Sequence, residues 1–277
     1  PKADPLPGVK NIIGVSSGKG GVGKSTVAAN LAVALAREGY RVGLLDADIF
    51  GPSIPKMFGV EDEQLYMHEV DGVSKIIPVE RYGVKLLSIG FLVDRNSPVV
   101  WRGSMASNAL KQLIEQGDWG ELDYFLIDMP PGTSDIHLTL VQTLGITGVV
   151  VVSTPQQVAL ADTRKGIAMF TDPKINVPVL GIVENMAWFT PESHPDERYY
   201  IFGNGGASRL ADELGVKLLA CIPLVAAVGV HSDEGEPVAA GDTISAQAFI
   251  HLAHEVIDAV EDRNRDLPPT QNVKVKK

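Results

Sequence analysis

Residues 18–26 read Gly-Lys-Gly-Gly-Val-Gly-Lys-Ser-Thr, and this stretch decides the fold. Its first part matches the pattern G-x-x-x-x-G-K-[ST] of phosphate-binding loops. Glycines let backbone N–H groups approach phosphate oxygens closely, the second lysine brings a positive charge to them, and the serine hydroxyl can bind Mg²⁺. The stretch therefore predicts an ATP-binding loop made of Gly18, Lys19, Gly20, Gly21, Val22, Gly23, Lys24, Ser25 and Thr26.

The segments on either side of this loop supply the context that the motif requires. Asn11–Ser16 is a short apolar run and predicts a strand, Ser25–Glu38 has apolar residues at helical spacing, and Arg41–Asp46 predicts the next strand. A strand, a helix and a second strand in this order favour a parallel sheet. The alternative, a glycine-rich turn that matches by chance, does not explain these flanks.

The same alternation continues to the end of the chain and predicts an α/β fold, a mostly parallel twisted sheet flanked by helices. Further strands are predicted at Lys85–Ile89, Tyr124–Asp128, Gly148–Ser153, Val179–Val183 and Lys217–Ile222. Further helices are predicted at Met105–Gln116, Ile136–Leu144, Val158–Phe170, Gly206–Leu214 and Ala246–Asp262. Asp71 and Gly72, between two extended segments, indicate a hairpin over Leu65–Val79. We expect one domain over residues 11–265, after a linker-like lead-in at 1–10 and before a tail at 266–277.

Composition narrows the class of protein. The net charge of −10 argues against a nucleic-acid-binding surface, which would be basic. The apolar runs are far shorter than the roughly 18 residues of a membrane helix, so no membrane partner is expected. The single cysteine, Cys221, cannot form a disulfide within the chain, which fits a reducing compartment. We therefore expect a cytoplasmic protein.

Three aspartates end predicted strands. Asp46 and Asp48 close the second strand, and Asp128 closes the run Phe-Leu-Ile-Asp at 125–128. Ligands of open α/β sheets lie beyond the carboxyl ends of strands, so Asp48 is a candidate to orient or deprotonate an attacking water. Asp128 fits a Walker B aspartate that holds Mg²⁺. The alternatives are that these residues cap the turns that follow them or simply end a strand.

Taken together, several stretches resemble the Mrp (ApbC-like) branch of the MinD/ParA P-loop ATPases, which have a deviant Walker A loop and include iron–sulfur cluster carriers. The matching stretches are residues 18–26, 45–53 (Leu-Asp-Ala-Asp-Ile-Phe-Gly-Pro-Ser), 101–103 (Trp-Arg-Gly), 127–135 (Ile-Asp-Met-Pro-Pro-Gly-Thr-Ser-Asp), 154–156 (Thr-Pro-Gln) and 181–186 (Gly-Ile-Val-Glu-Asn-Met). They span nearly the whole chain.

The resemblance implies a homodimeric Mg-ATP hydrolase in which two subunits pack face to face around ATP. It implies that Lys19, which on the motif alone could be a solvated loop residue, reaches the partner's nucleotide. Lys24 and Asp48 would act in hydrolysis, and Ser25, Asp48 and Asp128 would hold Mg²⁺. Asn185 would hydrogen-bond the adenine and Pro223 would line the base pocket. The implied partners are iron–sulfur client or scaffold proteins.

The sequence departs from this family at the cluster site. Relatives carry a Cys-x-x-Cys pair after the Glu-Asn-Met segment, but residues 187–194 here read Ala-Trp-Phe-Thr-Pro-Glu-Ser-His. One cysteine per subunit gives a dimer fewer thiolates than an all-cysteine four-iron cluster needs. Cys221 could be a small apolar filler, and His194 could be a ligand or a solvated residue. The cluster ligands therefore stay unassigned. Either a cluster is carried by another route, or the chain is a nucleotide-gated positioning or scaffold ATPase without one.

Overall fold

The computed structural model describes residues 3–93 and 100–274, except the side chains of residues 226–229. Residues 1–2 of the predicted lead-in and 275–277 of the predicted tail lie outside this range. The division into lead-in, domain and tail stays a prediction.

An eight-stranded sheet forms the centre of the molecule, in the order β10-β9-β8-β1-β7-β2-β6-β5. All neighbouring strands in it are parallel except β5 and β6, which are antiparallel. This arrangement confirms the predicted mostly parallel sheet. The strands of the sheet are β1 Val9–Ser17, β2 Val42–Asp46, β5 Val79–Arg81, β6 Val84–Ser88, β7 Leu122–Asp128, β8 Gly148–Ser153, β9 Val179–Phe189 and β10 Leu218–Leu224.

Helices cover both faces of the sheet. They are α1 Lys24–Arg37, α2 Ile54–Met57, α3 Gly103–Gln116, α4 Asp135–Thr143, α5 Gln157–Thr171, α6 Gly206–Leu214, α7 Ala226–Glu234 and α8 Ile244–Asp266. One apolar cluster packs α1 and α8 against the sheet, and a second packs α3, α4, α5 and α6 against the other face. Neighbouring residues of a strand point to opposite faces, so Leu44 joins the first cluster and Leu45 the second. Burial on both faces explains why these strands are apolar throughout.

A separate antiparallel hairpin joins β3 Tyr66–Val70 to β4 Val73–Ile77. Its turn residues, Asp71 and Gly72, have φ angles of 50° and 76°. Positive φ at both central positions is the requirement of a type I′ turn, which explains why the Asp-Gly pair marks a hairpin here.

Some elements differ from the sequence prediction. The sequence analysis does not include α2, β5 or α7, and β9 runs on to Phe189 instead of ending at Val183. The extension has a tertiary cause, because its residues pair with β10, and Phe189 at its end also exchanges two backbone hydrogen bonds of 2.8 Å with Tyr199. Helix α2 and strand β5 are shorter than a periodic pattern can reveal.

The end of α8 holds the segment that follows it. Arg263 is 8% exposed, and its guanidinium donates to the carbonyl oxygens of Thr147 (2.7 Å) and Pro268 (2.7 Å) and to the hydroxyl of Thr270 (3.0 Å). Within residues 3–93 and 100–274, no helix is both long enough and apolar enough to cross a bilayer.

Candidate functional site

The phosphate loop (residues 18–26) joins the end of β1 to the start of α1, as predicted. Gly21 and Gly23 both have φ near 80°, a left-handed conformation that side chains disfavour. Gly23 is the residue before the first turn of α1, so the loop ends at a helix N-terminus. The unpaired N–H groups and the dipole there favour an anion.

Two tight contacts hold this loop from behind. A Cβ on Gly18 would overlap the backbone of Asp162 and Thr163, so α5 packs directly against the start of the loop. A Cβ on Gly23 would overlap the side-chain amide of Asn185. Glycine is therefore needed at these positions for packing as well as for phosphate approach.

Four of the predicted residues meet at the front of the loop. Lys24 is 6% exposed, and its ammonium group contacts a carboxylate oxygen of Asp128 and lies 3.5 Å from Oδ2 of Asp48. The hydroxyl of Ser25 donates to Oδ2 of Asp128 at 2.6 Å. The structure thus brings together one cation, two carboxylates and a hydroxyl, the groups that bind a Mg²⁺–triphosphate.

Burial and mutual charge perturb the acids of this group. Burial raises the pKa of the Asp48 carboxyl, while the nearby Lys24 charge partly offsets this effect. The pKa of Asp46 lies well above its usual range because its carboxyl is fully buried and stands beside Asp128 on the neighbouring strand. Perturbed carboxyls grouped at a phosphate loop are typical of a functional site.

Asp46, which the sequence analysis left open, has a positioning geometry. Its carboxyl accepts hydrogen bonds from the Ser88 hydroxyl at 2.9 Å, the Asp48 amide at 3.2 Å and the Ile54 amide at 3.4 Å. It therefore ties the segment that carries Asp48 to β6 and α2. The only sign of this positioning role in the sequence is that Asp46 and Asp48 stand two residues apart at the end of a predicted strand.

A cavity of about 250 Å³ opens over the loop. It is lined by Ser17, residues 19–26, Asp48, Gly51, Ser53, Met57 and Pro131. Sequence reasoning did not assign Ser53 or Met57, which the segment after β2 brings to the cavity, whereas Pro131 lies in the stretch 127–135 that the sequence analysis had matched. A larger cavity of about 970 Å³ lies among residues of the lead-in and of the segment after α8. We place the site at the smaller cavity because the loop and the acids converge there.

The remaining predicted residues are placed differently. Lys19 is half-buried and lines the cavity, and no carboxylate of the described residues pairs with its ammonium group. Asn185 lies behind the loop, where its Nδ2 donates to the carbonyl of Val22 at 2.9 Å. Pro223 is half-buried on β10 and is not among the residues that line the cavity.

The region where relatives place cysteines forms an aromatic cluster. The guanidinium of Arg198 lies 4.2 Å from the ring centre of Trp188, and the ring of Tyr200 meets Trp188 edge-on at 6.5 Å. His194 is exposed, and its ring nitrogen lies 2.8 Å from the Ser193 hydroxyl. Cys221 is half-buried on β10, where burial raises the pKa of its thiol. Among the described residues, neither Cys221 nor His194 belongs to a group of three or more side chains that could hold a metal ion.

Comparison with known proteins identifies the family. A family model described as the NUBPL iron-transfer P-loop NTPase, of ParA type, matches residues 8–257. The chain belongs to this family. It is 49% identical over 261 residues to an iron-sulfur cluster carrier protein of Aquifex aeolicus, covering 93% of the chain and 70% of that protein. The family membership confirms the resemblance stated from the motifs.

Solved structures agree with this assignment. A nucleotide-binding protein of Archaeoglobus fulgidus in complex with ADP is 41% identical, with a TM-score of 0.72, covering 83% of this chain and 88% of that one. The septum site-determining protein MinD of Pyrococcus horikoshii, complexed with Mg-ADP, has the same fold at 24% identity, with a TM-score of 0.65 and coverage of 92% and 99%. This NUBPL-family chain is a P-loop ATPase.

Proposed function

We propose that the chain is a Mg²⁺-dependent homodimeric ATPase that acts in iron–sulfur cluster assembly or delivery. The observation that carries the ATPase site is the group of Lys24, Ser25, Asp48 and Asp128 in front of the phosphate loop. Lys24 would hold the β- and γ-phosphate oxygens, with the N–H groups at the start of α1 around them. Asp48 would orient or deprotonate the attacking water.

The donor set at the loop fits Mg²⁺. The Ser25 hydroxyl and the Asp128 carboxylate are already adjacent, Asp48 is close, and oxygen atoms of this kind are the ligands that Mg²⁺ prefers. These three residues would hold the ion, which neutralises phosphate charge when bound. Lys24 is the cation beside both carboxylates in this structure, and we expect it to turn toward the phosphates when nucleotide enters.

Asn185 and Pro223 would form the adenine site. Asn185 donates one of its two amide N–H groups to the Val22 carbonyl, which leaves the second N–H and the amide oxygen for the base. Pro223 would line the base pocket from β10. Substitution of Asn185 by Ala, with ATP and GTP affinity compared, tests this role, because loss of an adenine contact weakens ATP binding more than GTP binding.

The homodimer is supported by the loop and by the surface around it. The Lys19 ammonium group has no carboxylate partner among the described residues, as expected if its partner is the phosphate of a second copy. Exposed large apolar side chains follow the carboxyl ends of successive strands, the edge that holds the phosphate loop. They are Phe50, Val100, Met105, Leu138, Val158, Tyr199, Ile201 and Val230. Exposed apolar side chains in segments that follow the strand ends support a protein interface at this edge of the sheet.

Substitution of Lys24 by Ala tests the site. We expect loss of both ATP binding and phosphate release, since this ammonium group is buried beside the acids. Lys111, which is half-buried on α3 and does not line the cavity, supplies the control substitution Lys111→Ala, which should leave both unchanged. Undiminished hydrolysis in Lys24→Ala would show that the site is assigned wrongly.

The role in iron–sulfur chemistry is supported by the carrier and transfer proteins that the chain resembles. The cluster would be cargo, and its ligands within this chain are unassigned because the sequence has one cysteine. Anaerobic reconstitution with iron and sulfide, followed by iron analysis per dimer, tests whether the chain itself holds a cluster. A dimer without iron would favour the second candidate, a nucleotide-gated scaffold ATPase, which the Trp188–Arg198 stack in place of cysteines supports.

A further inference from the structure

His137, in the first turn of α4, is buried directly behind the turn that follows Asp128. Its side chain is 1% exposed. Its Nδ1 accepts a hydrogen bond from the Ser134 amide at 3.1 Å and lies 3.0 Å from the Ser134 hydroxyl. In return the Ser134 side chain accepts from the His137 backbone amide, so the two residues form a capping box, in which glutamate or glutamine is the usual third residue of the helix. A histidine in that position needs an explanation.

The hydrogen bond at Nδ1 fixes the state of the ring. Because Nδ1 accepts a hydrogen bond from the Ser134 amide, the ring proton of the neutral form lies on Nε2. Burial lowers the pKa of His137 to about 4, so the ring is neutral near pH 7. The Nε2 atom is buried and has no hydrogen-bond partner among the described residues. A buried donor without a partner costs free energy, and proteins seldom leave one unused.

The neighbouring turn, residues 130–134, lines the nucleotide site. Pro131 contributes to the cavity over the phosphate loop, and the Gly132 amide donates to the Ser17 carbonyl at 2.9 Å, just before that loop. The Pro130 carbonyl acts as a backbone acceptor toward the His137 ring and opposes the lowering of its pKa by burial, although Nε2 makes no hydrogen bond of normal distance and angle. The turn therefore lies between the nucleotide cavity on one side and His137 on the other.

We propose that His137 is a positioning residue for ATP hydrolysis, whose Nε2–H donates to the carbonyl of Pro130 when the 130–134 turn closes on the γ-phosphate. The inference rests on the proposed function, because it needs the phosphates to lie at Lys24 and Asp128. His137 touches no substrate; it acts through the backbone of the turn. Its Nδ1 keeps α4 capped throughout, so closing the turn adds one hydrogen bond without removing another.

A purely structural role for His137 makes a different prediction. The ring packs edge-on against Phe170, with centroids 6.3 Å apart, so it also fills space in the core. If filling space were its only role, an apolar side chain of similar size would preserve turnover. If the Nε2 donor acts in closure, an apolar side chain slows hydrolysis and leaves nucleotide affinity intact.

The test compares His137→Leu, His137→Gln and His137→Asn in the full chain. A glutamine amide can reach the position of Nε2, whereas an asparagine amide reaches only that of Nδ1. One net hydrogen bond corresponds to roughly 2- to 10-fold in rate. We expect kcat to fall by this factor in His137→Leu and His137→Asn, with KM unchanged, and to recover in His137→Gln. The exposed His251 on α8 supplies the matched controls His251→Leu and His251→Gln, which should retain the original kcat.

An unchanged kcat in His137→Asn would overturn the inference, as would an equal fall in kcat for His137→Asn and His137→Gln. These two polar variants decide the question if His137→Leu does not fold. The Lys24→Ala variant separates this inference from the proposed function. If Lys24→Ala still hydrolyses ATP, the site itself is wrong and the inference falls with it. If Lys24→Ala does not hydrolyse ATP but His137→Asn keeps the original kcat, only the role assigned to His137 is wrong.

Discussion

The hydroxyl of Ser25, in the first turn of α1, donates to Oδ2 of Asp128, at the end of β7, over 2.6 Å. These residues stand 103 positions apart in the chain. The contact exists because β7 pairs with β1, the strand before the phosphate loop, so that the carboxyl ends of the two strands lie side by side. Parallel pairing is thus what puts a carboxylate beside the loop's serine.

Asp128→Asn should lower kcat about 100-fold, since the amide removes the charge that would hold Mg²⁺ beside the phosphates. Phosphate release measured against Mg²⁺ concentration checks this, and the Mg²⁺ needed for half-maximal rate should rise. Asp258→Asn, on the exposed side of α8, is the matched control. Equal Mg²⁺ dependence in the two variants would contradict the assignment of Asp128.

Lys19→Ala should abolish hydrolysis while ATP still binds, because this ammonium group is proposed to act on the partner's nucleotide. Equilibrium binding of a fluorescent ATP analogue, turnover and sedimentation with and without ATP together check this. We expect affinity within about threefold of the original chain and loss of the ATP-dependent dimer. A monomeric chain with full activity would rule out action across an interface.

Gly18→Ala and Gly20→Ala form a matched pair within one loop. A Cβ on Gly18 would overlap the backbone of α5, whereas a Cβ on Gly20 meets no atom within 4 Å. Overpacking against backbone costs about 1–3 kcal/mol, and an open surface site about 0.5 kcal/mol or less. Urea unfolding should therefore separate the two variants, with Gly18→Ala less stable. Equal stabilities would mean that α5 does not pack against the loop.

The sequence predicts most of this architecture because two signals are local. The glycine pattern and the apolar strands depend on residues next to each other, and the positions of Asp48 and Asp128 follow from their being at strand ends. What could not be predicted depends on tertiary contacts. Met57 lines the cavity, and Asp46 receives three hydrogen bonds, only because separate segments meet.

Asn185 illustrates the same limit. The motif places it on the strand β9 but not on a particular partner, and in this structure its amide holds the phosphate loop through Val22. The strand β9 also continues past the predicted end at Val183, since pairing with β10 and with Tyr199 supplies hydrogen bonds that no local pattern encodes. Prediction from the sequence therefore fails where the role of a side chain or the length of a strand is set by tertiary contacts.

Arg263→Met should destabilise the chain by about 2–3 kcal/mol and free the segment after α8. The methionine keeps the apolar part of the side chain but loses the donors to Thr147, Pro268 and Thr270. Urea unfolding and limited proteolysis of the last residues measure the two effects. The exposed Arg265, paired only with nearby acids, gives the control Arg265→Ala, for which a change within about 0.5 kcal/mol is expected.

Acid should destabilise the chain partly through His137. The folded pKa is about 4, below the ordinary value of 6.5, because burial disfavours the charged ring. Between these values the unfolded chain binds a proton that the folded chain does not, so stability is lost as pH falls from about 6.5 toward 4. The loss due to this residue between pH 7 and pH 4.5 is about 2 kcal/mol. Urea unfolding at both pH values should show a smaller decrease for His137→Gln than for the original chain or for His251→Gln. The same decrease in all three proteins would mean that His137 titrates normally.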